Sequence, residues 1–140
     1  MPKNLARGLL AAMLAACAAL TSAQTQPPLK VAFVYVSPVG EAGWSFQHDQ
    51  GRRAMEAALG DRVRTTVVEA VPESADSERV MRDLAAQGHQ LVFATSFGYL
   101  EPALRVAAEF PAVKFEHAGG YKTAANLNTY ASLYHSVCQR

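Results

Sequence analysis

Trp44, Phe46, Phe97, Tyr99 and Tyr121 all fall where an apolar run gives way to a loop or a helix start, with Gln47, Ser96 and Asn126 nearby. Aromatic faces gathered at such a boundary suit a flat heterocycle or a sugar, each well-placed pair contributing roughly 0.5–1.5 kcal/mol. The amide and hydroxyl side chains would add hydrogen bonds. Core packing accounts for any one of these aromatics at least as well, so the argument for a site is their convergence on one edge. Trp44 and Phe97 rank first, because both sit in loops beside glycine, where a large apolar residue has least local reason to be.

Acid–base chemistry has weaker support. His48 and Asp49 are adjacent early in a helix, where Asp49 meets the helix dipole favourably, and such a pair suits proton transfer. Neighbouring helical side chains diverge by about 100°, so capping or polar packing is the better reading, and His48 keeps a place near a ligand only because its helix starts at the crevice. Glu116 and His117 are adjacent in a strand, face opposite sides of the sheet, and do not complete a zinc site. His89 and His135 are expected to be solvated and away from the crevice. Nucleophile-elbow, P-loop, dinucleotide and Cys-x-x-Cys signatures are absent, so no catalytic residue, metal or cofactor is assigned and binding is favoured over catalysis.

The elements that position these residues follow from punctuation and periodicity. Lys30 to Val36 is a near-continuous β-branched run, the pattern of a strand buried on both faces of a parallel sheet. Pro38, Gly40 and Gly43 mark a loop, after which Trp44 to Leu59 reads as a helix with Phe46, Ala54, Met55, Ala58 and Leu59 on its buried stripe. Val63 to Val71 is a second strand whose Arg64 and Glu69 suggest a sheet edge. Ser74 to Gln87 is a second helix, with Ser74 or Asp76 as N-cap and Val80, Met81, Leu84 and Ala85 facing the core. Gln90 to Thr95 is the third strand. A helix opening at Glu101-Pro102 follows, with Leu104, Ala107 and Ala108 inward. Val113 to His117 is the fourth strand, and Asn126 to Tyr130 begins a fifth. The alternation predicts a doubly wound parallel α/β sheet, whose ligand crevice lies outside the strands' carboxyl ends where strand order reverses. That geometry selects the loops Ser37 to Phe46, Thr95 to Tyr99 and Glu116 to Tyr121.

The N-terminus carries Lys3 and Arg7, an apolar stretch from Gly8 to Leu20, and small residues at Thr21, Ser22 and Ala23, the pattern of a signal peptide over residues 1–23. Residues 24–29, with Pro27-Pro28, read as a tether. Leu14-Ala15-Ala16-Cys17 resembles a lipobox, which makes Cys17 a lipidation candidate; cleavage after Ala23 to free a soluble periplasmic protein is slightly favoured, because Ala18-Ala19-Leu20 continues the apolar core. With Cys17 removed or acylated, Cys138 is an unpaired thiol in an oxidising compartment. The formal net charge of +1, with no basic run, argues against nucleic acid, and no later segment is long enough to span a membrane.

From Lys30 to about Tyr134 the chain resembles the N-terminal lobe of the BMP family of ABC-transporter substrate-binding lipoproteins, purine-nucleoside receptors of the type I periplasmic-binding fold. The resemblance rests on Gly43-Trp44-Ser45-Phe46-Gln47-His48-Asp49-Gln50-Gly51, on Thr95-Ser96-Phe97-Gly98-Tyr99, on Phe115-Glu116-His117-Ala118, and on Gly120-Tyr121-Lys122. It implies one α/β lobe over residues 30–140, a purine-like ligand, an inner-membrane permease as partner, and Phe46 as a base-stacking residue. Gln47 stands where the family commonly has asparagine. Family members continue into a second lobe and this chain stops at Arg140, so the expectation is a truncated receptor with weak binding. A small periplasmic hydrolase using His48, Asp49 or Glu116, and a non-functional truncated product, are the alternatives.

Overall fold

The computed structural model describes residues 26–131. The signal segment, Cys17, His135 and Cys138 lie outside them. Strand β1 (Leu29–Val34) leads through helix α1 (Trp44–Leu59) and a 3₁₀ turn (Gly60–Arg62) to β2 (Val63–Val68). Helix α2 (Ala75–Ala86), β3 (Leu91–Ala94), a 3₁₀ turn (Phe97–Tyr99), α3 (Leu100–Glu109), β4 (Lys114–Ala118) and β5 (Leu127–Tyr130) follow. All strand pairs are parallel, in the order β2-β1-β3-β4-β5. Strand β2 is therefore an edge, as its polar residues predict.

The two faces of the sheet are covered differently. On one, Ala32, Val34, Val92, Ala94, Phe115 and Leu127 pack against Met81, Leu84 and Ala85 of α2 and Leu100, Ala103 and Val106 of α3. Burying each large member, such as Met81, contributes about 1.5–3 kcal/mol. On the other, Val31, Phe33, Tyr35 and Val63 meet Met55 and Leu59 of α1, with Leu91 and Phe93 partly buried beside them. Phe33 and Phe93 stack across neighbouring strands with ring centroids 4.6 Å apart.

Helix α1 departs from its expected stripe. Its buried face carries Ser45 and Asp49, with Arg52, Met55 and Leu59 half-buried, whereas Ala54 and Ala58 are exposed. The reason is a polar contact with Tyr35, just past the end of β1, and with β2. Asp49 accepts from Arg52 Nε at 2.7 Å and Arg53 Nε at 2.6 Å, Tyr35 donates to Asp49 at 3.5 Å, and Arg52 reaches Thr65 at 3.1 Å. Two alanines bury too little area to outweigh this network. The expectation for α3 fails in a smaller way: Ala107 is buried, Leu104 half-buried and Ala108 exposed, because Leu100, Ala103 and Val106 carry the face. Ser74 caps α2, its hydroxyl accepting from Asp76 N–H at 3.2 Å.

His89 is buried, not solvated. Its ring nitrogens bond the Leu84 carbonyl and the Thr66 hydroxyl, each at 2.8 Å, and so close the end of α2 onto β2.

Candidate functional site at the carboxyl edge

The chain leaves β1 toward one edge of the sheet and returns through β3 toward the other, so the strand order reverses between β1 and β3. Trp44 spans this switch point: from the first turn of α1 its indole N–H donates to the Thr95 carbonyl at the end of β3. The Trp44 ring packs on His48, centroids 4.7 Å apart, and His48 Nδ1 lies 3.0 Å from the Trp44 carbonyl. Ser45, beneath them, bonds the Ser37 hydroxyl at 2.8 Å and ties the loop to the helix start. Phe46 is half-buried and Gln47 exposed on the same turn.

Beyond β3, the 3₁₀ turn presents Phe97, which is 64% exposed and lies 6.4 Å from the ring of Tyr121, itself 70% exposed. Lys122 Nζ stands 5.6 Å over the Tyr121 ring and pairs with Glu101. Phe97 and Tyr121 thus form a pair of neighbouring exposed aromatic faces. Tyr99, on the same turn, is placed elsewhere. It is 0% exposed within the core, and its hydroxyl donates to the Val71 carbonyl at 2.5 Å. The third position of the turn points inward, so Tyr99 offers a ligand no face.

His117 closes the edge at the end of β4. It is fully buried, its Nε2 is 2.8 Å from the Ser96 carbonyl, and its Nδ1 has no hydrogen-bond partner among the described residues. Donation to a carbonyl requires the Nε2–H tautomer. Gly120 permits the packing, since a Cβ there would meet His117 Nδ1 at 2.5 Å and Thr129 Oγ1 at 2.7 Å. Burial pushes the His117 imidazole below its ordinary value, outweighing its bond to Ser96. Burial pushes Asp49 the other way, but Arg52 and Arg53 prevail and hold its carboxyl below the usual range.

Asn126 belongs to the opposite end of the sheet. Its Nδ2 donates to the carbonyls of Ala107, Phe110 and Val113 at 2.8–3.1 Å and caps α3. A groove of about 300 Å³ runs beside α1 over the sheet, lined by Gln47, His48 and Arg52 with Phe33, Phe93 and Tyr130. It adjoins the switch point through Gln47 and His48.

The edge therefore gathers Trp44, Phe46, Gln47 and His48 on one flank of β3 and Phe97 and Tyr121 on the other. Sequence reasoning placed Thr95 in a crevice loop but not as the indole's acceptor, and missed Glu73, which accepts from the Ser96 hydroxyl and from Gly98 N–H. Glu73 follows β2 and so sits at the same carboxyl edge, which was the available signal. Among the described residues no group of three or more His, Cys, Asp or Glu side chains is placed to hold a metal. No described helix is long and apolar enough to cross a membrane.

A family model described as ABC transporter substrate-binding protein, PnrA-like (Bmp), matches residues 29–136. A purine-binding protein of Brucella abortus (strain 2308) is 49% identical over 114 residues, covering 81% of this chain and 33% of that protein. A Haloferax volcanii protein whose name assigns it to glucose binding for an ABC transporter is 42% identical over 102 residues, covering 73% of this chain and 26% of its own length. The chain thus spans a quarter to a third of the curated relatives it matches. Among solved structures, a solute-binding protein of an ABC transporter system from Conexibacter woesei superposes with a TM-score of 0.66 at 24% identity, covering 74% of this chain and 35% of that one. One from Aeropyrum pernix gives 0.63 at 20% identity, covering 74% and 28%. These two likenesses establish the fold.

Proposed function

The chain belongs to the Bmp family of PnrA-like ABC transporter substrate-binding proteins, and from that premise we propose that its carboxyl edge binds a purine-like solute for delivery to an ABC permease. The observation that carries the reading is the set of accessible aromatics around the switch point. Trp44 is fixed there by Thr95 and Phe46 lies two residues on, while Phe97 and Tyr121 stand exposed across β3. We assign Trp44, Phe46, Phe97 and Tyr121 to stacking, and Gln47 and His48 to polar contacts. The purine-binding relative in Brucella supports this choice of ligand. Glucose is the second reading, favoured by the name of the Haloferax relative and by the affinity of aromatic faces for sugars.

The described residues supply one side of a ligand, whereas good pockets bury roughly 70–90% of it. Affinity of the chain alone is therefore weak, with Kd on the order of 1 mM. Calorimetric titration with adenine, adenosine and glucose separates the readings. Heat with a purine that falls about tenfold in Phe46→Ala supports the first, and heat with glucose alone replaces it by the second.

Proteins of this family are substrate-binding and extracytoplasmic. We assign residues 1–23 to an export signal, 24–29 to a tether and 30–140 to one receptor lobe, with the periplasm as location and Cys17 as the lipidation candidate. Metabolic labelling with a radioactive fatty acid distinguishes the anchored form from the soluble one, since label lost in Cys17→Ala requires the anchor. The hydrolase reading is not favoured. His48 Nδ1 faces the Trp44 carbonyl and Asp49 is engaged by two arginines, so neither is directed at a common substrate atom.

A further inference from the structure

The loop between β2 and α2 reaches the edge through one side chain. We infer that Glu73 is a positioning residue for Phe97, fastening the turn that presents this ring to solute; the inference rests on the reading of the edge as a ligand site.

Glu73 Oε1 accepts from Gly98 N–H at 3.0 Å and from the Ser96 hydroxyl, the residues on either side of Phe97. The carboxylate lies flat on Gly98: a Cβ there would come within 2.5 Å of Glu73 Cδ and 2.8 Å of both carboxylate oxygens. Residue 98 has no room for a side chain while Glu73 holds this place. The same loop grips the turn a second time, through the Tyr99 hydroxyl on the Val71 carbonyl at 2.5 Å. His117 grips it from the other flank at the Ser96 carbonyl.

The backbone is thus tied immediately before and immediately after a ring that is itself 64% exposed. An exposed aromatic on a free loop is ordered only at the cost of affinity, and a pre-ordered turn avoids that cost. The bonds from Ser96 and Gly98 hold the Glu73 carboxyl below its ordinary value, so it is ionised at neutral pH and both bonds are charge-assisted.

Amide exchange and adenine titration on the isotope-labelled chain test this with Glu73→Ala, Glu73→Gln, Gly98→Ala, Phe97→Ala and the Glu73→Ala/Phe97→Ala double variant. Glu73→Ala is expected to speed Gly98 amide exchange tenfold or more while Val92 and Phe115 in the core keep their protection. Glu73→Gln, whose carbonyl oxygen still accepts, retains most of it. Gly98→Ala, which displaces the carboxylate from the other side, speeds exchange of the turn amides as well. Adenine affinity falls about tenfold in Glu73→Ala, and that change adds nothing once Phe97 is alanine. Unchanged Gly98 exchange in Glu73→Ala overturns the proposal whether or not adenine binds. An affinity loss that persists in the Phe97→Ala background overturns it too, by making Glu73 a ligand contact. If the unsubstituted chain binds no solute, the reading of the edge falls, and Gly98 exchange alone still decides what Glu73 does to the turn.

Discussion

The indole N–H of Trp44 donates to the carbonyl of Thr95 and so joins the first turn of α1 to the end of β3, across the point where the strand order reverses. The ring that sequence reasoning places at the crevice is thereby held by the backbone that also leads to Phe97. Removing the donor while keeping an aromatic ring separates the two roles of this residue. Trp44→Phe is expected to cost about 1 kcal/mol of stability and to weaken purine binding less than Trp44→Ala does, as read from urea midpoints and titrations of both variants. Equal binding losses in the two would mean that the N–H, not the ring face, carries the contact.

Tyr99 gives the control for that experiment. It lies on the same turn as Phe97 but is buried, with its hydroxyl on the Val71 carbonyl. Tyr99→Phe should lower stability by about 1–2 kcal/mol, because a buried carbonyl loses its donor, and leave the affinity of the folded protein for purine unchanged. Phe97→Ala should do the reverse.

Asp49 is predicted to be a stability residue. Asp49→Asn takes from Arg52 Nε and Arg53 Nε the carboxylate both donate to and leaves half-buried Arg52 paired with Glu56 alone, at 2.9 Å, at a cost of about 2 kcal/mol; this is less than for a fully enclosed pair because Arg53 reaches solvent and Glu56 remains. The change should appear as a lower denaturation midpoint at unaltered slope.

His117 contributes to the loss of stability on the acid side of neutrality. Its imidazole is held neutral by burial, with a native value below the ordinary 6.5. The unfolded chain therefore binds more protons below about pH 6.5, and stability falls as pH drops through that point toward the lower native value. The melting temperature should decline between pH 7 and pH 5, and His117→Gln, which keeps a donor for the Ser96 carbonyl and cannot titrate there, should flatten the decline. An identical slope in the variant would place the titrating group elsewhere.

Element order and sheet class were legible because β-branched runs and glycine or proline breaks carry them directly. The helix boundaries Trp44 and Leu59 follow from the same signals. On α1 the inward Met55 and Leu59 were legible, but the burial of Ser45 and Asp49 in place of Ala54 and Ala58 was not, since an Asp–Arg–Tyr network, not apolar periodicity, decides it. Tyr99 and Phe97 look alike in sequence, and only the register of a 3₁₀ turn sends one inward and the other outward. His89 and Asn126 read as solvated or ligand-facing, yet each satisfies carbonyls at a helix end, a role that depends on long-range packing. Glu73 escaped notice because its partners lie more than 20 residues further along the chain.

The central claim is that a purine occupies the edge around Trp44, the sole tryptophan of the chain. Its indole N–H gives one resonance, and following that resonance through an adenine titration tests the claim most directly. The account predicts a saturable shift of the indole signal together with the amides of Phe46, Gln47, Phe97 and Tyr121, and its loss in Phe46→Ala. An indole signal that stays fixed at millimolar adenine, or shifts confined to residues away from this edge, would contradict it.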